Sequence, residues 1–368
     1  MTSEGGRRGQ LAATGLRAGW TTGACATAGA CAAFEALATG AFPDPVTVIL
    51  PAGHTPAFAL TREALGEGWA MAAITKDSGD DPDVTHEAVV EVQVRPGPLG
   101  SGISFRAGPG VGTVTLPGLP LAVGEPAINP SPRRMISENL SSTAARLGVA
   151  VGDVEIEIGI NRGADIARHT LNPRLGIIGG LSVLGTTGVV VPYSCSAWID
   201  SIRSGIDVAR AAGQGHVAAC TGSTSERVVK ELHGLPEVAL IDMGDFAGAV
   251  LKHLRRHPVA RLTLCGGFAK LSKLAAGHLD LHSGRSRVNP EQLAQLAEAA
   301  GGPSELGVLI RASGTALGAL QAAADVGFPL GDVVAGAARD VALGILQAAP
   351  VVVDVVCIDR AGGIVGRT

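Results

Sequence analysis

Aromatic side chains are scarce in this 368-residue sequence: one Tyr, three Trp and seven Phe, 3% of the chain. Its cores must be built from small aliphatic side chains and close backbone contacts. Charged residues are also few, 17% against 46% apolar, which excludes an intrinsically disordered chain. There is no basic tail and no basic run interleaved with aromatics, and the formal net charge is −4. Nucleic acid is therefore not an expected partner. An anionic ligand is compatible with that charge, because local arginines and backbone N–H groups decide such binding. The cysteines (Cys25, Cys31, Cys195, Cys220, Cys265 and Cys357) show no C-x-x-C spacing. They read as reduced, buried small hydrophobes, and no protein-bound metal is expected. No apolar run reaches the roughly 20 residues that span a bilayer without charge or Gly/Pro interruption. Residues 1–10 lack the apolar segment of a signal peptide and read as a frayed terminus. A cytoplasmic protein with no membrane partner is the expectation.

The length suffices for two domains, each with its own core. The Ala-rich stretch 24–37 reads as a helix ended by Gly40, Pro43 and Pro45. Residues 46–50 and 89–94 read as strands, the Gly/Pro-rich stretch 95–132 as ordered loop with short strand, and 133–147 as a helix. In 154–160, Glu155 and Glu157 alternate with Ile156 and Ile158, the pattern of a half-exposed strand. The later rhythm is strand 216–220, helix 227–232, strand 238–241, helix 246–256 and strand 259–265. Such alternation with short connections is the signature of a parallel sheet with crossover helices. Helices are expected at 291–300, 316–326 and 332–347. The run 351–358 reads as an apolar strand buried on both faces. The expected architecture is an α+β N-terminal domain (1–195) followed by an α/β domain (196–368) with a largely parallel, Rossmann-like sheet.

Four constellations could carry chemistry. After strand 216–220, Gly222 allows close backbone approach, and Ser223 or Ser225 could cap the next helix beside Thr224. Asp242 follows 20 residues later at a strand end, where a carboxylate would accept from ribose hydroxyls. With one glycine in place of three, an ordinary capped turn fits equally well. Thr21, Thr22 and Gly23 open a helix whose N–H groups suit an anion, or simply start it. The turn 76–86 carries Asp77, Asp80, Asp81 and Asp83 between Lys76 and His86. Such crowding raises carboxylate pKa values unless a cation relieves it, and the spacing is not that of an EF-hand. Lys270 and Lys273 precede His278 and His282, which would share a helix face at i, i+4; the acidic residue between them is misplaced for a metalloprotease. Arg133, Arg134 and Arg174 are further carboxylate forks.

Taken in order, several blocks resemble the cobalt-precorrin-5B C1-methyltransferase (CbiD) family across roughly residues 16–290. They are Gly19-Trp20-Thr21-Thr22-Gly23 with its Ala/Cys helix, residues 76–86, residues 108–136 including Gly124-Glu125-Pro126-Ala127-Ile128-Asn129-Pro130, residues 172–192 including Gly185-Thr186-Thr187-Gly188, and residues 267–283. Trp20 stands where the family pattern leads one to expect tyrosine, Ala24 a small hydroxyl residue, and Glu87 glycine. The resemblance implies S-adenosylmethionine as methyl donor and an anionic cobalt tetrapyrrole as acceptor, with cobalt belonging to the substrate. It implies the oxygen-independent branch of cobalamin synthesis. On this reading Asp80, Asp81 and His86 are candidates for a catalytic base. Gly222, Ser223, Thr224 and Asp242 are candidates for the donor site. Thr21, Thr22, Gly23, Arg133, Arg134, Lys270 and Lys273 are candidates for the macrocycle. A nucleotide-dependent oxidoreductase, a non-catalytic tetrapyrrole carrier and a metal hydrolase are the rival readings. A homo-oligomer is compatible with all of them.

Overall fold

The computed structural model describes residues 15–368, so the expectation for residues 1–10 lies outside the described residues. Two compact units divide the chain, the first ending at Cys195 and the second running from Ser196 to Thr368.

The first unit is built on a five-stranded sheet. Its strands are β1 (Arg62–Gly66), β2 (Trp69–Thr75), β3 (Val89–Pro96), β4 (Ile103–Ala107) and β5 (Val154–Ile160). They lie in the order β1-β2-β3-β5-β4. All pairs are antiparallel except β4 with β5. Val90, Val92, Val94, Ile156, Ile158 and Ile160 are buried on one face. Glu155 and Glu157 point the other way, where Glu155 pairs with Arg95 and Arg106. Helix α1 (Thr22–Thr39) lies between this sheet and helix α2 (Pro130–Leu147). Being covered on all sides, α1 is apolar all round, with no amphipathic stripe. Its small residues are a spatial requirement: a Cβ on Gly29 would lie 2.9 Å from Val92 Cγ2.

Helix α2 starts at Pro130, three residues earlier than expected, because Pro is well placed in a first turn whose N–H groups have no intrahelical partner. The strand expected at 46–50 shortens to Val46–Thr47, paired with Ala57–Phe58. The β1–β2 hairpin has no counterpart in the sequence reading, since polar, exposed Arg62 and Glu63 hide its alternation.

The second unit carries strands β6 (His216–Cys220), β7 (Leu240–Asp242), β8 (Arg261–Gly267), β9 (Val352–Ile358) and β10 (Ile364–Arg367). Their order is β7-β6-β8-β9-β10, with only β10 antiparallel. Numbered within the unit this is 2-1-3-4-5, a doubly wound order whose switch point falls between β6 and β8. Pleating sends Val217, Ala219, Leu262, Leu264 and Val355 into the larger core. That core also receives α3 (Cys195–Ala211), α5 (Ala247–Leu254), α6 (Phe268–Ala275), α7 (Pro290–Ala299), α8 (Ser304–Ala312), α9 (Ala316–Asp325) and α10 (Leu330–Leu346). Ala218, Cys220, Cys265 and Val356 point to the other face, covered by the single helix α4 (Ser223–His233). Strand β9 is buried on both faces only from Val355 onward. Asp354 interrupts the apolar run and pairs with Arg261.

Candidate functional site

In the first unit, three separate stretches converge. Trp20 N–H donates to Asp77 O at 2.7 Å, and Asp80 N–H donates to Arg17 O at 3.0 Å. Contact is so close that a Cβ on Gly19 would sit 2.0 Å from Ser78 C, and one on Gly79 2.2 Å from Arg17 O. Only glycine permits this backbone approach. From the third stretch, Tyr193 N–H donates to Asp81 Oδ1 at 2.8 Å. Tyr193 is 69% exposed and its φ of 56° lies in the left-handed region, an uncommon state for a bulky residue.

Each carboxylate of the turn has its own partner. Arg17 grips Asp77 with both guanidinium nitrogens, while its backbone N–H donates to Asp80 Oδ2 at 2.6 Å. Lys76 is only 2% exposed, and its Nζ donates to Asp83 Oδ2 at 2.8 Å and to the Ser78 hydroxyl. Asp83 Oδ1 also accepts from Thr85 N–H and Oγ1–H, both at 2.8 Å. The Arg17 hydrogen bond brings Asp77 down to about 2. Burial pushes Asp83 upward, but the charge and hydrogen bond of Lys76 outweigh it and hold the carboxyl below its usual range. For these two carboxylates the cation that relieves crowding is present, and its attraction exceeds like-charge repulsion. Ser78 N–H donates to His86 Nδ1 at 3.1 Å, which leaves the proton of neutral His86 on Nε2.

In the second unit, the Gly222 turn and Asp242 lie at the carboxyl end of the sheet. Gly222 is the N-cap of α4 and no side chain caps the helix; Ser225 Oγ–H instead donates to Gly222 O at 2.7 Å. The expected serine cap is thus absent. Asp242 ends β7, its Oδ1 accepting from Gly244 N–H at 3.3 Å and its carbonyl from Trp198 Nε1–H at 3.1 Å. Lys270 Nζ donates to Thr221 O at 3.1 Å and pairs with Asp245 at 3.2 Å. That Asp245 oxygen is buried and makes no aligned hydrogen bond among the described residues. Lys270 thus braces the turn at the switch point.

Several candidate contacts prove to be internal. Thr21 and Thr22 are buried: Thr21 Oγ1 accepts from Ala24 N–H, and Thr22 Oγ1 exchanges hydrogen bonds with the backbone of Leu184. Gly23 N–H donates to Leu184 O at 3.0 Å, so a loop of the protein itself occupies this helix start. Arg133 donates to Ile128 O, Pro126 O and Glu125, and lies 5.6 Å over the Phe105 ring. Lys273 is buried and donates to Leu281 O at 2.8 Å. These five residues are engaged in holding the fold. Arg134 is exposed on α2 and remains available. His278 and His282 follow α6 in irregular chain, so the i, i+4 helix face does not form.

Residues 10–192 match the CbiD family, and residues 280–368 match the CbiD C-terminal domain. The cobalt-precorrin-5B C(1)-methyltransferase of Paramagnetospirillum magneticum is 58% identical over 95% of this chain and 98% of its own length. This chain belongs to the CbiD family. Its counterpart of the same name from Brucella canis is 56% identical over 96% of this chain and 95% of its own. The crystal structure of the cobalamin biosynthesis protein CbiD from Archaeoglobus fulgidus is 28% identical, covering 73% of this chain and 83% of that one at a TM-score of 0.39. Family membership rests on the sequence matches.

Within this CbiD chain, the departures noted above acquire a setting. Glu87 has φ 61°, a left-handed conformation in which glycine is the relaxed choice. Trp20 meets Phe58 edge-on at 5.7 Å. Arg17, the buried state of Lys76 and the constrained Tyr193 are what the sequence reading missed. A lone tyrosine beside the resembling block 172–192 was the one signal that could have singled out Tyr193.

Proposed function

We propose that this chain carries out the reaction its relatives are named for, methylation of C(1) of cobalt-precorrin-5B, with S-adenosylmethionine as donor. The observation that carries the reading is 58% identity over 95% of the chain to a relative of that name. The second unit is the donor-binding, Rossmann-like unit. Its switch-point turn at Gly222, with the backbone of Ser223 and Thr224 and the carboxylate of Asp242 at the neighbouring strand end, suits an adenosine ribose and its attached chain. The first unit receives the macrocycle. Cobalt enters as part of that substrate.

In the transfer, a nucleophilic ring carbon attacks the sulfonium methyl in line. A carbon–carbon bond forms, the sulfur–carbon bond breaks, and the neutral thioether leaves with the electron pair. Holding the reactants aligned is the chief task of the protein. The first unit offers a rigid rim for this: Asp81 fixes the Tyr193 backbone, and the exposed Tyr193 ring provides a flat apolar face for a macrocycle. Asp80 and Asp81 are the acceptors for any ring proton. His86, with Nδ1 occupied by Ser78, presents an N–H donor and is better suited to a substrate carboxylate or carbonyl.

The test is anaerobic turnover with cobalt-precorrin-5B and methyl-labelled S-adenosylmethionine, with label expected in the corrinoid. Folded protein that binds the macrocycle but transfers no label and shows no affinity for the donor is a carrier, and the proposal fails.

A further inference from the structure

At the amino end of the second unit's sheet, opposite the Gly222 turn, lies a polar cluster that methyl transfer does not use. His216 is the first residue of β6 and Arg261 the first of β8, directly paired in register. Thr263 pairs with Asp354 of β9. These four side chains alternate onto the face that α4 covers, and α4 ends on His233. The His216 and His233 rings meet edge-on at 5.0 Å. We propose that His216, His233 and Asp354 form a binding site for one zinc-class divalent metal ion, which ties the end of α4 to the start of the sheet.

Three observations carry this. One donor atom from each of the three residues lies within 4.8 Å of the others. Tetrahedral zinc with bonds near 2.0 Å needs donors about 3.3 Å apart, so closure of roughly 1.5 Å at most is required. Second, His233 Nε2 is buried with no hydrogen-bond partner among the described residues, a lone pair or N–H otherwise left without compensation. Third, the hydrogen bonds around the cluster prepare its ligands. Thr263 Oγ1–H donates to Asp354 Oδ2 at 2.8 Å and the same oxygen lies 2.8 Å from His216 Nε2, so Thr263 ties the His216 ring to the Asp354 carboxylate. Arg261 donates to both Asp354 oxygens at 2.9 Å, which orients the carboxylate. Oδ1 keeps a lone pair after its single bond from Arg261.

Two imidazoles and a carboxylate suit Zn²⁺ or Co²⁺ over the harder Mg²⁺ and Ca²⁺. The nearby Arg261 charge opposes a dication, so moderate affinity is expected, with Arg261 and Thr263 as outer-sphere positioning residues.

The experiment takes the full chain, stripped by chelator, and titrates it with Zn²⁺ by calorimetry and with Co²⁺ by visible spectroscopy. One equivalent of Zn²⁺ should bind, and Co²⁺ should give the intense bands of a four-coordinate site. Affinity should fall at least tenfold in His216→Ala and in His233→Gln, the latter chosen to keep size and polarity at the end of α4. His257→Ala, at the separate His253–His257 pair (rings 4.6 Å apart), should bind as wild type does. The proposal is overturned by substoichiometric zinc on wild type, by the weak spectrum of six-coordinate cobalt, or by loss of binding that follows His257 instead. The wild-type spectrum decides the matter even if a variant fails to fold.

Discussion

Ser78 and His86 are joined by a single hydrogen bond, backbone N–H to Nδ1 at 3.1 Å, and this bond selects the tautomer of the histidine. A neutral His86 carries its proton on Nε2, so accepting another would break the contact with Ser78. Nitrogen-15 NMR at pH 8 should show Nε2 protonated and Nδ1 bare. His86→Gln should then retain more turnover than His86→Ala, since the amide can still donate. The opposite tautomer, or equal loss in both variants, would restore the general-base role.

The Arg17–Asp77 pair should make stability acid-sensitive. Asp77 titrates at about 2 in the folded chain, against about 3.9 in an unfolded one. A depressed carboxyl contributes stability above the unfolded value and loses it as pH falls through the folded one. Asp83, held low by Lys76, acts in the same direction. His86 and Asp80 are the other charged or titratable neighbours of Asp77. Urea midpoints for wild type and Arg17→Gln should differ at pH 6 and converge between pH 4 and pH 2. Because Asp77 is 42% exposed, the gap will be small. A gap undiminished at pH 2 would assign it to packing.

Glu87→Gly should stabilise the protein. A non-glycine residue in the left-handed region costs roughly 1–2 kcal/mol, and the added freedom of glycine when unfolded returns about 0.4–1 kcal/mol of that. A net gain of about 0.5–1 kcal/mol in chemical denaturation is expected. A loss would show that the Glu87 side chain contributes more than its strain costs.

Asp242→Ala should weaken donor binding by about 1.5–3 kcal/mol, the range for a hydrogen bond to a charged group. Calorimetry with S-adenosylmethionine measures this directly. An unchanged dissociation constant in a folded variant removes Asp242 from the donor site.

Arg133 and Arg134 should separate cleanly. Arg133→Ala strips donors from Ile128 O and Pro126 O and the cation from the Phe105 ring, so stability should fall by about 1–3 kcal/mol. Arg134→Ala should leave the melting temperature unchanged and weaken macrocycle binding. If Arg134→Ala binds the macrocycle normally, α2 does not contact it.

The sequence by itself determined the regular elements whose signal is local. Alternation in 154–160, strand–helix alternation from residue 216 onward and Gly40 at the end of α1 all reappear where they were read, because each depends on neighbours within a few residues. The family was legible for the same reason, through long blocks in order. Only tertiary structure decided what those blocks do to one another. Residues 17–20, 77–81 and 193 meet through backbone contacts that leave no pattern along the chain. Arg133 and Lys273 look like surface cations in sequence, yet folding turns them toward carbonyls of their own chain. His216, His233 and Asp354 lie up to 138 positions apart. A parallel sheet sets their rows side by side, and a single crossover helix brings the third ligand back over the strand starts. Spacing along the chain cannot encode that proximity, because strand register and helix return exist only once the sheet has formed.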